Sequence, residues 1–193
     1  MKRQSPFLLA TAVICVLVFG IAPVQAVDEF PIATTSGREF GLMAAFDGTN
    51  YLVGIQGDQT HHSSITAQMV SQTGELVGPR ISMGRTGGLP SVAFDGTNYL
   101  LVWQDDATAP NDDIYGQFIN ICGTRVGSAF PISRARGRQG HECTGTVFGS
   151  INYLVTWADE RYSVAGQGPQ YVYGQLVSRN EGLVGSEIQI SAE

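Results

Sequence analysis

An all-β fold built from three four-stranded antiparallel repeats is predicted by three observations. One run recurs three times at a spacing of about fifty residues, turn residues separate short apolar runs, and nothing after the N-terminus sustains a helical period. The run reads Phe46-Asp47-Gly48-Thr49-Asn50-Tyr51-Leu52-Val53, then Phe94-Asp95-Gly96-Thr97-Asn98-Tyr99-Leu100-Leu101-Val102-Trp103, then Phe148-Gly149-Ser150-Ile151-Asn152-Tyr153-Leu154-Val155-Thr156-Trp157. A unit of this size cannot bury its own apolar faces and needs neighbours, so the repeat specifies a stacked architecture. It specifies no activity.

Residues 1–26 read as a signal peptide. Lys2 and Arg3 form the basic start, 7–22 is nearly all apolar, and Val24-Gln25-Ala26 supplies the small-residue cleavage pattern. The competing reading is a retained membrane anchor. The apolar run is short against a span of ~20 residues, and Pro23 interrupts it. Ile14, standing before Cys15 where a small residue is wanted, opposes a lipoprotein signal. The expected domain is therefore 27–193, exported, with secreted and periplasmic destinations equally open and no membrane association after cleavage. Phe30-Pro31-Ile32-Ala33 matches the later Phe130-Pro131-Ile132-Ser133 and is expected to form one extra N-terminal strand.

The three units are expected at about 38–83, 88–133 and 142–191. In the second, four apolar runs at 90–94, 99–103, 114–119 and 125–132 define strands a, b, c and d. Asp95-Gly96 between a and b is a strong hairpin signal, because glycine supplies the positive φ of tight turns. Thr73-Gly74, Cys122-Gly123 and Glu181-Gly182 mark the c–d turns. Strand b is apolar at every position from Tyr99 to Trp103, so both of its faces must be covered. Strand c carries a glutamine at one fixed place, Gln68, Gln117 and Gln175, expected to hydrogen-bond between units. Small sheets stacked face to face, with covered middle strands, are the arrangement of a β-propeller.

The run Asn98-Tyr99-Leu100-Leu101-Val102-Trp103, followed by Asp112-Asp113-Ile114-Tyr115-Gly116-Gln117, Val126-Gly127-Ser128 and Phe130-Pro131-Ile132-Ser133, resembles the repeats of secreted or cell-surface bacterial propeller-like proteins, a poorly characterised group. The resemblance covers nearly all of the chain after the leader. The first unit departs from it at Gly54 and Ile55, and the third loses Asp-Gly at Gly149-Ser150. It implies a fold and an extracytoplasmic location, and carries no activity.

Closed propellers usually have about four to eight blades, so three units leave two open flanks. Two copies closing a ring, a fragment of a longer propeller, and a compact three-unit body are the competing resolutions, with self-association favoured because soluble monomers avoid exposed apolar faces.

The whole chain holds 11 basic and 17 acidic residues, and the leader removes two of the basic ones. An acidic surface excludes nucleic acid as a general partner. Cys122 falls in a c–d turn and Cys143 at the start of strand a, about 17–20 Å apart in an up-and-down sheet. A disulfide needs Cα atoms within about 7 Å, so the pair is expected to stay open unless the 134–142 loop folds back.

Variable b–c loops on a rigid scaffold are where binding usually sits. The second loop brings Asp105, Asp106, Asp112 and Asp113, hard oxygen ligands of a kind that suits Ca²⁺, though Pro110 splits them and the spacing fits no EF-hand. The bland alternative is a solvated acidic loop. The third brings Asp159, Arg161 and Tyr162, and Tyr162 and Tyr171 are candidates to stack on sugar rings or to pack inside. Arg134, Arg136 and Arg138 are a candidate anion site or a solvated loop. His61 and His62, adjacent on an extended segment, point oppositely and find no completing ligand, and His141 stands alone, so no metal site or catalytic residue is assigned. A Gly-x-Ser-x-Gly elbow and a phosphate loop are absent from the sequence.

The expected function is an exported, non-enzymatic binding or interaction module for a glycan or a protein. The alternatives are a secreted carbohydrate-active hydrolase using Asp105 and Asp159, with Asp58 slightly out of register, and a structural repeat without a ligand.

Overall fold

Aspartate–glycine turns alternating with short β-prone runs fold the chain into antiparallel strands from Phe40 to Gln189 among the described residues. The computed structural model describes residues 29–33, 38–57, 63–107, 112–163, 168–180 and 182–191. Among them run β1 (Phe40–Phe46), β2 (Asn50–Gln56), β3 (Ser64–Ser71), β4 (Leu76–Phe94), β5 (Asn98–Asp105), β6 (Asp113–Asn120), β7 (Arg125–Ser133), β8 (Gln139–Phe148), β9 (Asn152–Asp159), β10 (Tyr171–Ser178) and β11 (Leu183–Gln189). The signal peptide expected at 1–26, Asp58 and the His61–His62 pair lie outside the described residues, as do the side chains of His141 and Cys143.

The strands form a seven-stranded sheet, β1 to β7 in sequence order, and a four-stranded sheet, β8 to β11. The sequence led us to expect a break between the fourth strand of the first unit and the first strand of the second. Instead β4 is one strand of 19 residues, pairing with β3 over its first half and with β5 over its second. The joint turns on Gly87, whose φ is 155° and where any Cβ would lie 1.8 Å from the Gln104 carbonyl oxygen. Leu89 beside it holds a left-handed φ of 53°, a conformation costing roughly 1–2 kcal/mol for a branched residue. It is pinned from two sides: its amide donates to Gln56 Oε1 at 3.1 Å, and its carbonyl accepts from the Thr144 hydroxyl.

Pairing therefore runs in three ladders, β1–β4, β4–β7 and β8–β11, and apolar side chains fill the space between them. Leu52, Ile65, Met69 and Met83 of the first ladder meet Tyr99, Leu101, Trp103 and Ile119 of the second. Leu100, Val102, Ile114 and Phe118, from the opposite face of the second, meet Tyr153, Val155, Trp157 and Tyr173 of the third. Successive side chains of a strand point to opposite faces, so β5, apolar at every position, feeds both clusters and is fully buried from Tyr99 to Trp103. A tyrosine hydroxyl fixes each junction. Tyr99 donates to the Asn50 carbonyl at 3.0 Å, and Tyr153 to the Asn98 carbonyl at 2.9 Å.

The glutamines correct an expectation. Each lies within its own ladder, opposite a bulge made by a Val-Gly pair with the glycine at positive φ (Gly78, Gly127, Gly185). Gln117 Nε2 donates to the carbonyls of Phe118 and Val126 at 3.0 and 2.9 Å, and Gln68 and Gln175 repeat the pattern. A bulge leaves carbonyls without ladder partners, and a buried primary amide has hydrogens to give them. The role is local.

Phe30–Ala33 also differs from expectation. Residues 29–33 form no strand, yet Ile32 and Ala33 pack on Val53, Ile55 and Val70, and Phe30 lies against Gly74. Cys122 is an exposed free thiol in the β6–β7 turn.

Candidate functional site

The b–c rim is built on the C-terminal ends of β5 and β9. Both strands end Trp-x-Asp, and residues two apart share a face, so each indole reaches the carboxylate beyond it. Trp103 Nε1 donates to Asp105 Oδ2 at 3.2 Å, and Trp157 Nε1 to Asp159 Oδ2 at 2.9 Å. Each carboxylate is buried and gripped bidentately by an arginine. Arg85, from β4, reaches Asp105 at 2.5 and 2.8 Å. Arg161, from the turn after β9, reaches Asp159 at 2.8 and 2.6 Å and also donates to Glu187 at 2.8 Å. The guanidiniums stack on strand-c tyrosines, Arg85 at 3.9 Å from the Tyr115 centroid and Arg161 at 3.7 Å from that of Tyr173. Ion pairing with Asp105 and with Asp159 holds both arginines above their ordinary pKa.

Backbone amides complete the set, Ala107 donating to Asp105 at 3.3 Å and Arg161 to Asp159 at 2.9 Å. Each carboxylate thus accepts four hydrogen bonds, close to its capacity. A general acid or base needs an open lone pair facing its substrate. These two aspartates are anchors for the tryptophans and for the rim.

The acidic loop and the arginine loop meet each other. Asp112 accepts from Gln104 at 2.8 Å and from Arg138 at 3.2 Å, and Asp113 faces Arg134 at 3.9 Å. Arg134 also donates to the Tyr115 hydroxyl. Asp106 accepts from Thr86 at 2.6 Å. The two candidate sites, one for a cation and one for an anion, therefore oppose one another, with Arg136 exposed beside them. No three His, Cys, Asp or Glu side chains gather as a cation cage among the described residues.

Among the described residues a cleft opens on this rim. Tyr162, Pro169, Tyr171 and Gln189 line about 480 Å³. Tyr162 is 61% exposed and meets the buried Tyr171 edge-on, at 6.0 Å and 83°. Gln189 is oriented by the Tyr173 hydroxyl, which donates to its Oε1 at 3.1 Å, and its Nε2 donates to the Ser191 carbonyl at 3.0 Å. Of the residues expected here, Tyr162 and Tyr171 come together, while the Arg161 guanidinium turns to Asp159, Glu187 and the Tyr173 ring. Asp105, Asp106, Asp112 and Asp113 lie apart, on the second ladder. Sequence reasoning missed Arg85, Pro169, Glu187 and Gln189. Only the Arg161-Tyr162 pair next to Trp-x-Asp hinted at them.

No family model matches the chain, and no curated protein does. Among solved structures, the cryo-EM structure of Morganella morganii TcdA4 is similar over 77% of the chain at 7% sequence identity and a TM-score of 0.41; the chain spans 8% of that protein's length.

Proposed function

We propose that this chain is an exported, non-enzymatic binding module with a propeller-like scaffold, and that its ligand is a sugar ring taken up at the Tyr162–Tyr171 cleft. The observation that carries this reading is the cleft itself: an exposed aromatic face, held edge-on by a buried ring, beside a side-chain amide whose orientation is fixed. Apolar faces with a few positioned polar groups are what small polar ligands require. Export rests on the leader read from residues 1–26, and the propeller-like arrangement on the stacking of the three ladders. The saturated hydrogen bonding of Asp105 and Asp159 favours binding over hydrolysis.

A glycan array probed with the processed chain tests the proposal. Binding of at least one glycan class, reduced roughly 5- to 30-fold by Tyr162→Ala, is the expected result, since one stacked ring contributes about 1–2 kcal/mol. An array without a Tyr162-dependent signal removes the glycan reading. Turnover of chromogenic glycosides, lost in Asp105→Asn or Asp159→Asn, replaces it with the hydrolase.

A further inference from the structure

We propose that a second copy of this chain covers the outer face of the β8–β11 sheet, docking its own first ladder there head to tail. The two junctions already inside the molecule carry this inference, independently of the sugar cleft, which lies on the other face of β10 and β11.

Each internal junction joins two unlike halves. One half is the forward face of a ladder: Leu52, Ile65 and Met69 in the first, Leu100, Ile114 and Phe118 in the second. The other is the rear face of the next, with a strand-b tyrosine whose hydroxyl donates to the asparagine carbonyl opposite. The third ladder presents a forward face with no ladder against it among the described residues. Val147, Leu154, Leu176 and Val184 stand in one row across its four strands, since they pair in register. Val147 is 57% exposed, and Ile188 on the same face 46%. Their counterparts in the second ladder, Ala93 and Phe130, pack in the core cluster against the third ladder.

The first ladder carries the complementary lack. Tyr51 stands where Tyr99 and Tyr153 stand in the other two, but it is 39% exposed and its hydroxyl has no hydrogen bond among the described residues. The Asn152 carbonyl, which corresponds to those of Asn50 and Asn98, accepts the Gly149 amide of its own hairpin and, among the described residues, no tyrosine hydroxyl. A donor without its acceptor at one end and an acceptor without its donor at the other match each other across copies.

Residues 29–33 occupy part of the docking face in place of a preceding ladder. Phe30 lies against Gly74 as Ile81 lies against Gly123 one ladder on. Among the described residues this segment forms no strand and makes no backbone hydrogen bond to the face, and docking of a second copy requires its displacement from Val53, Ile55 and Val70, which it buries. Two copies joined in this way make two identical contacts related by a two-fold axis, which closes the assembly.

Sedimentation equilibrium of the processed chain, at about 1 to 100 µM where micromolar association becomes visible, tests this. The expected mass is that of two chains. Val147→Lys with Ile188→Lys is expected to return a single-chain mass with unchanged far-ultraviolet circular dichroism, and Tyr51→Phe to weaken association by roughly 2- to 10-fold, as one hydrogen bond allows. Should the double variant fail to fold, a photo-crosslinker at position 172 of the otherwise unaltered chain joins β10 to peptides of β1–β3 in a neighbouring copy. A single-chain mass throughout, masses growing beyond two chains, or crosslinks confined to other surfaces each overturn the proposal.

Discussion

Strands β5 and β9 carry nearly the same sequence, Asn-Tyr-Leu-Leu-Val-Trp-Gln-Asp against Asn-Tyr-Leu-Val-Thr-Trp-Ala-Asp, and differ in what surrounds them. In β5 both faces are sealed, and Leu100 and Val102 lie as deep as Tyr99 and Trp103. In β9 Tyr153, Val155 and Trp157 are buried, while Leu154 and Thr156 on the other face are only half covered. A ladder's position in the stack, more than its sequence, decides how much of its apolar surface contributes to stability.

The sharpest way to break this comparison is a matched truncation. Leu100→Ala is expected to cost about 2–5 kcal/mol of unfolding free energy, whereas Leu154→Ala, measured on dilute single chains, costs roughly 1 kcal/mol or less. Equal losses in denaturant melts remove the distinction. The carboxylate anchors give a second contrast. Asp105→Asn strands Arg85 against Tyr115, whereas after Asp159→Asn the Arg161 guanidinium keeps Glu187. The first substitution is expected to cost about 3 kcal/mol and the second about half of that, read by the same melts.

Alkaline pH probes both junctions together. Burial first, with the Asp47 and Asp95 carboxylates adding to it, pushes the Tyr99 and Tyr153 phenols well above their ordinary value. A raised folded-state pKa makes the folded chain hold its proton after the unfolded chain has released it. The stability this contributes is complete below about pH 10 and falls above it, by about 1.4 kcal/mol per tyrosine for each pH unit. Tyr153→Phe is expected to remove that residue's share of the slope and leave the share of Tyr99. The smallest effect belongs to the hairpins. Ser150 sits at a φ of 73° where the other two ladders place Gly48 and Gly96, so Ser150→Gly is expected to stabilise the third hairpin by about 1 kcal/mol, visible as a higher Tm.

Much of the scaffold was readable from local patterns. The β5 run announced a strand covered on both sides, and Asp47 and Asp95 announced hairpins in which each carboxylate accepts two backbone amides. What escaped the sequence depends on non-local partners. The continuity of β4 turns on Leu89, whose left-handed backbone is held by Gln56 and Thr144, 33 and 55 positions away. The glutamines looked like links between units because sequence reasoning missed the Val-Gly pairs that mark the bulges, and the carbonyls a bulge frees lie nine positions along the chain from each glutamine. The fit of Phe30–Ala33 to a strand pattern said nothing of whether a neighbour was present to pair with. At the rim, the aspartates looked available because Arg85 lies 20 residues upstream of Asp105, and only the fold brings them together.

The central claim is that the middle ladder is enclosed by the other two. Amide hydrogen exchange on dilute processed chains tests it most directly, because amides in an enclosed strand exchange only through global unfolding. Protection is predicted to be highest in β5 and β6, with β9 and β10 lower and β11 the lowest. Exchange from β5 as fast as from β11 would contradict it.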